Sequence, residues 1–195
     1  MIQKVLPIKD TATLDLVKYN LLHQFRAGRR NYTIFQFGKA TMLRISDIVK
    51  MQYDDIFDSD GNVRKNTYLH DKKTGKPNTI YLKPIESDLK KYQLWLKKNN
   101  LIGKWLFPSL TNNSRHISEK QYYKIISKVG KMLGIDYLGT HTMRKTGAYM
   151  VYIQSDFNIA LVMDLLNHST ERMALNYLGL DQTMRESVLD NIDFD

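Results

Sequence analysis

Residues 139–153 read GTHTMRKTGAYMVYI. Thr140 is the expected N-cap of a helix that runs to about Ile153. A spacing of three sets His141 and Arg144 one turn apart on one face, where both can address a single anion. The start of a helix adds unpaired backbone N–H groups and the positive end of its dipole, so the stretch makes surroundings suited to a phosphate. Three further segments hold charged or polar side chains that a purely structural helix would not need. They are Leu43-Arg44-Ile45-Ser46-Asp47, Lys72-Lys73-Thr74-Gly75-Lys76, and His168-Ser169-Thr170 followed by Tyr177.

The charge of the whole chain agrees with an anionic partner. Its 29 Lys and Arg outnumber 20 Asp and Glu, for a net charge of +9 and a pI near 9.5, which favours nucleic acid or an acidic membrane surface. Five acids and one base between Asp181 and Asp195 give this tail −4, so of the total of +9 the residues before it carry +13. A basic body with an acidic tail fits a body that meets phosphates and a tail that does not. No run approaches the roughly 18 apolar residues of a membrane span, and the first residues lack a signal-peptide core. The expected location is the cytoplasm, in association with the nucleoid, with no membrane partner. With 0 Cys, disulfides, thiolate nucleophiles and Cys-type zinc sites are excluded. No metal or other cofactor is expected.

Outward from the polar segments the pattern is mostly helical. Leu14, Val17, Leu21, Leu22 and Phe25 follow helical spacing after the cap candidates Asp10 and Thr11, and a second helix is expected over Asn31 to Ala40. From Tyr53 to Leu82 the character changes: Asp60-Gly61 signals a turn, and strands are expected over Asn66 to His70 and Thr79 to Leu82, in a sheet of two or three strands. Leu89, Tyr92 and Leu96 line one face of a helix whose other face carries Lys90, Lys91, Lys97 and Lys98, read as solvated. Ser118 and Gln121 form a capping-box pattern before Ile125, Ile126, Val129 and Leu133. Short helices fit Asn158 to Leu166, Thr170 to Leu178 and Gln182 to Ile192. The expected fold is mainly α with a small antiparallel β-sheet, an α+β class. It is divided into a body over residues 1–180 and an acidic C-terminal tail helix over 181–195.

The four polar segments, in their order and spacing, resemble the tyrosine recombinase, or phage integrase, family from about Pro7 through Tyr177. Leu43 to Asp47 matches the family's Leu-Arg-x-Ser-Glu/Asp segment, and Lys73 matches a lysine in a β-hairpin turn. His141 and Arg144 match His-x-x-Arg, and Tyr177 lies nine residues after His168, the family's spacing for its nucleophile. Met42 and Asn167 stand where the family usually has Gly, and Lys145 where it commonly has His. The family usually adds an N-terminal helical domain of roughly a hundred residues, a common domain size. That core-binding domain has no match here, so the resemblance is to the catalytic domain or to short members such as the fimbrial phase-variation invertases.

The resemblance implies DNA cleavage and rejoining through a 3′-phosphotyrosine. Tyr177 is the nucleophile, Arg44 and Arg144 with His168 hold the phosphate, Lys73 is the general acid, His141 assists proton removal from Tyr177 or orients the phosphate, and Asp47 holds Arg44. Arg29, Arg30, Lys76, Arg115 and Lys145 lie beside the motifs and are DNA-contact candidates. The implied partners are double-stranded DNA and other protomers in a tetrameric synapse, with the tail crossing to a neighbour. Singly, Arg44 reads as a surface arginine, Lys73 as a hairpin lysine and Tyr177 as a half-buried helix aromatic. Together with His141, Arg144 and His168 they make six positions in family order, which overturns those readings. Two other readings remain: a catalytically silent DNA-binding regulator on the same fold, and a type IB topoisomerase-like enzyme that relaxes supercoils. A metal-dependent nuclease has no paired carboxylates to support it.

Overall fold

Leu14, Val17 and Leu21 recur at helical spacing, and α1 (Thr11–His23) buries all three. Asp10 caps it by accepting from the Thr13 N–H at 2.7 Å, a bond that holds its carboxyl below the usual range. Thr11, the other cap candidate, is the first residue inside the helix. The computed structural model describes residues 5–70, 77–180, 190, 192 and 193. Lys72, Lys73 and Lys76 and most of the Gln182 to Ile192 segment lie outside these residues.

The second helix, α2 (Gly28–Thr41), starts three residues earlier than its apolar pattern announces. It is the centre of the fold, burying Ile34, Phe35 and Phe37 and packing against α1, α4 (Glu86–Lys98) and α6 (Thr142–Gln154). It ends at Met42, whose φ of 53° is left-handed. A single-turn helix, α3 (Ile45–Ile48), follows. Strands β1 (Asn66–His70) and β2 (Pro77–Tyr81) pair antiparallel, with Asn66 opposite Tyr81 and His70 opposite Pro77. Among the described residues the sheet has these two strands. The second strand ends one residue before the expected Leu82, which is buried at the start of a 3-10 turn.

Ser118 caps α5 (Glu119–Leu133) by accepting from the Gln121 N–H at 3.1 Å. Asn158 caps α7 (Ile159–Leu166) and Thr170 caps α8 (Glu171–Leu178) in the same way. The expected cap of α6 is displaced: His141, not Thr140, precedes its first helical residue. The cause is the Thr142 hydroxyl, which accepts from the Gly139 N–H at 2.9 Å. That bond closes the preceding turn from inside the helix and leaves Thr140 outside it.

Two apolar clusters result. The larger gathers α1, α2, α4 and α5 around Phe35, Phe37, Tyr92 and Phe107. The smaller holds Met42, Ala148, Val162, Leu166, Ala174 and Leu178, and Tyr177 packs against it. Helix α6 feeds both, Met143 into the first and Ala148 into the second. It lies so close to α2 that a Cβ on Gly147 would sit 1.9 Å from the Lys39 carbonyl oxygen, so this crossing requires glycine. Among the described residues no helix is long and apolar enough to cross a membrane.

Candidate active site

A helix that ends leaves carbonyls without intrahelical partners, and these attract donors and cations. Arg144 exploits two such ends. It is 4% exposed. One guanidinium nitrogen donates to the Met42 carbonyl at the end of α2, and the other to the Leu166 carbonyl at the end of α7, at 2.8 Å. Just there the chain turns left-handed, at Met42 (φ 53°) and Asn167 (φ 56°). These are the two positions where the resembling family has glycine, the residue that adopts this conformation at least cost. Asn tolerates it and Met does so reluctantly.

The turn at Met42 delivers Arg44 to the start of α3, half-buried. Asp47, one turn on, donates its N–H to the Arg44 carbonyl at 3.0 Å, and its carboxylate accepts from the Ser46 hydroxyl at 3.4 Å. The turn at Asn167 delivers His168, whose ring meets the Tyr177 ring edge to face at 5.2 Å. His141, exposed at the start of α6, brings Nδ1 to 3.2 Å from the Tyr177 hydroxyl. The Arg144 guanidinium lies 5.7 Å and the Lys145 ammonium 4.9 Å from the centre of the Tyr177 ring. Burial pushes the Tyr177 phenol above its ordinary pKa, and the positive charges of Arg144 and then Arg44 oppose that rise.

Five of the six residues singled out for catalysis, Arg44, His141, Arg144, His168 and Tyr177, therefore line one cleft of about 670 Å³ together with Lys145. Asn167, Ser169, Met173 and Asn176 complete its wall. Met173, not among the residues singled out from the sequence, precedes Tyr177 by four residues and shares its face of α8. Lys73 and Lys76 fall between β1 and β2 in sequence, outside the described residues.

The DNA-contact candidates separate. Arg115 is exposed in the loop before α5, and Arg29 is half-buried with its guanidinium 5.6 Å from the Tyr32 ring centre. Neither is part of the cleft lining. Arg30 is a correction: it is 2% exposed, with one nitrogen donating to the Pro108 carbonyl at 2.7 Å. Its side chain has no surface with which to meet a phosphate. Sequence could not separate it from Arg29, because two adjacent helical residues point about 100° apart and nothing local says which way is in.

A mainly α body with a small hairpin, and a cleft that gathers tyrosine, two arginines and two histidines, define a tyrosine recombinase catalytic fold. The chain belongs to the phage integrase family, whose model matches residues 15–184. It is 32% identical over 179 residues to the probable integrase/recombinase YoeC of Bacillus subtilis (strain 168), covering 91% of each chain. Its fold is similar to that of the XerH site-specific recombinase in a post-cleavage complex with palindromic difH, with a TM-score of 0.67 and 18% identity over 98% of this chain and 54% of that one. It is also similar to a lambda integrase dimer bound to a COC′ core site, with a TM-score of 0.68 and 20% identity over 100% of this chain and 52% of that one. The chain spans about half the length of these solved recombinases.

Proposed function

We propose that this protein is a site-specific DNA recombinase of the integrase type, which cuts and rejoins double-stranded DNA through a 3′-phosphotyrosine. The observation that carries this reading is the Tyr177 hydroxyl 3.2 Å from His141 Nδ1 in a cleft shared with Arg44, Arg144 and His168. The Tyr177 oxygen attacks a backbone phosphorus, the new P–O bond to tyrosine forms, and the P–O bond to the 5′-oxygen breaks. The phenolic proton leaves toward His141, and a general acid, for which Lys73 is the candidate, protonates the departing 5′-oxygen. The free 5′-hydroxyl of a partner strand then reverses the step. Because the phosphodiester energy is kept in the tyrosyl bond, no ATP is required.

Negative charge concentrates on the nonbridging oxygens as tyrosine attacks. Arginine forks match such oxygens better than ammonium groups do, and Arg44 and Arg144 supply them, with His168 as a further donor. Asp47 steadies Arg44, and Lys76, Arg29 and Arg115 are contacts for the surrounding backbone. The protein acts on nucleoid DNA in the cytoplasm, with other protomers of the same chain on the same DNA.

Incubation with a nicked suicide substrate, from which the cleaved end diffuses away, tests the reading by trapping a covalent complex. Tyr177→Phe keeps the ring and removes the oxygen, so DNA binding survives and the adduct disappears. Retained attachment in that variant moves the nucleophile elsewhere. A silent regulator gives no adduct even with the intact chain, and a topoisomerase-like enzyme relaxes supercoiled DNA without exchanging partners.

A further inference from the structure

The first turn of α6 presents three basic side chains, and the proposed reaction uses only two of them. Lys145 lies one turn after His141, its N–H donating to the His141 carbonyl at 2.9 Å, and both side chains line the cleft. Its ammonium lies nearer the Tyr177 ring centre, at 4.9 Å, than the Arg144 guanidinium does, at 5.7 Å. The two cations differ in burial. Arg144 is buried and bonded to the Met42 and Leu166 carbonyls, whereas Lys145 is half-buried at the cleft wall.

We propose that Lys145 is a positioning residue for the nucleophile: its ammonium holds the Tyr177 ring against the cleft wall and stabilises the phenolate that attacks, in place of a contact to DNA. The inference rests on Tyr177 being the nucleophile. A cation over a neutral phenol ring contributes about 0.5–2 kcal/mol. Over a phenolate, whose negative charge spreads into the ring, the attraction is Coulombic and larger. The difference favours the ionised form, which is the reactive one, and so lowers the barrier as well as fixing the ring. The other charged or titratable groups facing Tyr177 are Arg44, His141, Arg144 and His168. Two carry guanidinium groups and two carry imidazoles, and Lys145 adds an ammonium to this set.

The test places a single difluorotyrosine at position 177, whose ionisation lies near neutrality, and follows its fluorine NMR shift against pH in the DNA-free protein. The intact chain, Lys145→Met and Lys145→Arg are compared. Methionine keeps the length of the side chain and removes the charge, and its midpoint is expected to rise by on the order of one unit, the scale set by a unit charge about 5 Å away in a partly solvated site. Arginine should restore the intact value. With ordinary Tyr177, single-turnover cleavage of the nicked substrate by Lys145→Met should fall about tenfold at neutral pH and recover as pH rises, as a one-unit shift requires. DNA affinity and its salt dependence should stay as in the intact chain. An unmoved midpoint overturns the proposal. So does a salt slope reduced by about 0.9, the share of one phosphate contact, since Lys145 would then serve the DNA. If Tyr177→Phe still forms the covalent adduct, the nucleophile assignment fails separately, while the fluorine titration still decides whether Lys145 acts on this ring.

Discussion

Among the described residues two arginines lie almost wholly inside this protein, at opposite ends of α2. Arg30, at its start, is 2% exposed, and Arg144, reaching its last turn from α6, is 4% exposed. Each donates to main-chain carbonyls far away in sequence, Arg30 to Pro108 and Arg144 to Met42 and Leu166. Around Arg30 the space is closed by the larger core, with Tyr92 stacked on Phe107 at 5.5 Å. Burial pulls its pKa down, and its Nε has no hydrogen-bond partner among the described residues. Around Arg144 one side opens onto the cleft of Tyr177. Burial by itself marks neither as functional. What separates them is whether the ordered charge retains a face toward a space that a phosphate can enter.

Exchanging the two arginines for near-isosteres puts the largest strain on that distinction. Arg144→Lys keeps a cation but cannot bridge two carbonyls, so cleavage should fall by about 10²- to 10³-fold. Stability should fall by about 1–3 kcal/mol, as one buried carbonyl loses its donor. Arg30→Met removes a buried charge and leaves the Pro108 carbonyl unmatched, two opposed effects, so stability should stay within about 2 kcal/mol. Its cleavage rate per folded molecule should be unchanged. Denaturant melts paired with single-turnover cleavage check both, and equal catalytic loss in a folded Arg30→Met would erase the difference.

A smaller effect is expected where α6 crosses α2. Gly147→Ala would bring a Cβ to 1.9 Å from the Lys39 carbonyl, so the helices must part. That should cost about 1–3 kcal/mol and displace His141 and Arg144 together, lowering cleavage before it abolishes folding. Gly103 has nothing within 4 Å of an added Cβ, and Gly103→Ala is the matched control, neutral in both assays. The smallest effect on cleavage belongs to the two left-handed turns that offer Arg144 its carbonyls. Met42→Gly relieves about 1–2 kcal/mol of backbone cost but empties a buried place in the smaller cluster. Large-to-small changes there cost about 2–5 kcal/mol, so a net loss near 2 kcal/mol is expected by calorimetry. Asn167→Gly, at a half-buried residue that already tolerates the turn, should shift stability by less than about 0.5 kcal/mol.

What the amino-acid sequence determined by itself was local. The apolar spacing of Leu14, Val17 and Leu21, the caps Asp10 and Ser118, and the helix bounds at Asn158 and Thr170 placed helices within a few residues of their observed ends. The strand over Asn66 to His70 was legible in full. The order of Arg44, His141, Arg144, His168 and Tyr177 was enough to name the residues that meet in one cleft. The misplaced cap at Thr140 shows the limit even of local reading, because Thr142 competed for the same turn from two residues away. Tertiary structure alone decided that Arg30 faces inward, that Arg144 is fixed by the ends of two helices, and that Lys145 lies over the Tyr177 ring. Caps and periodicity act over three or four residues, within reach of a sequence pattern. The partners that fix Arg30 and Arg144 come from 78 and 102 residues away, and only the packing of the helices brings such groups to the same place.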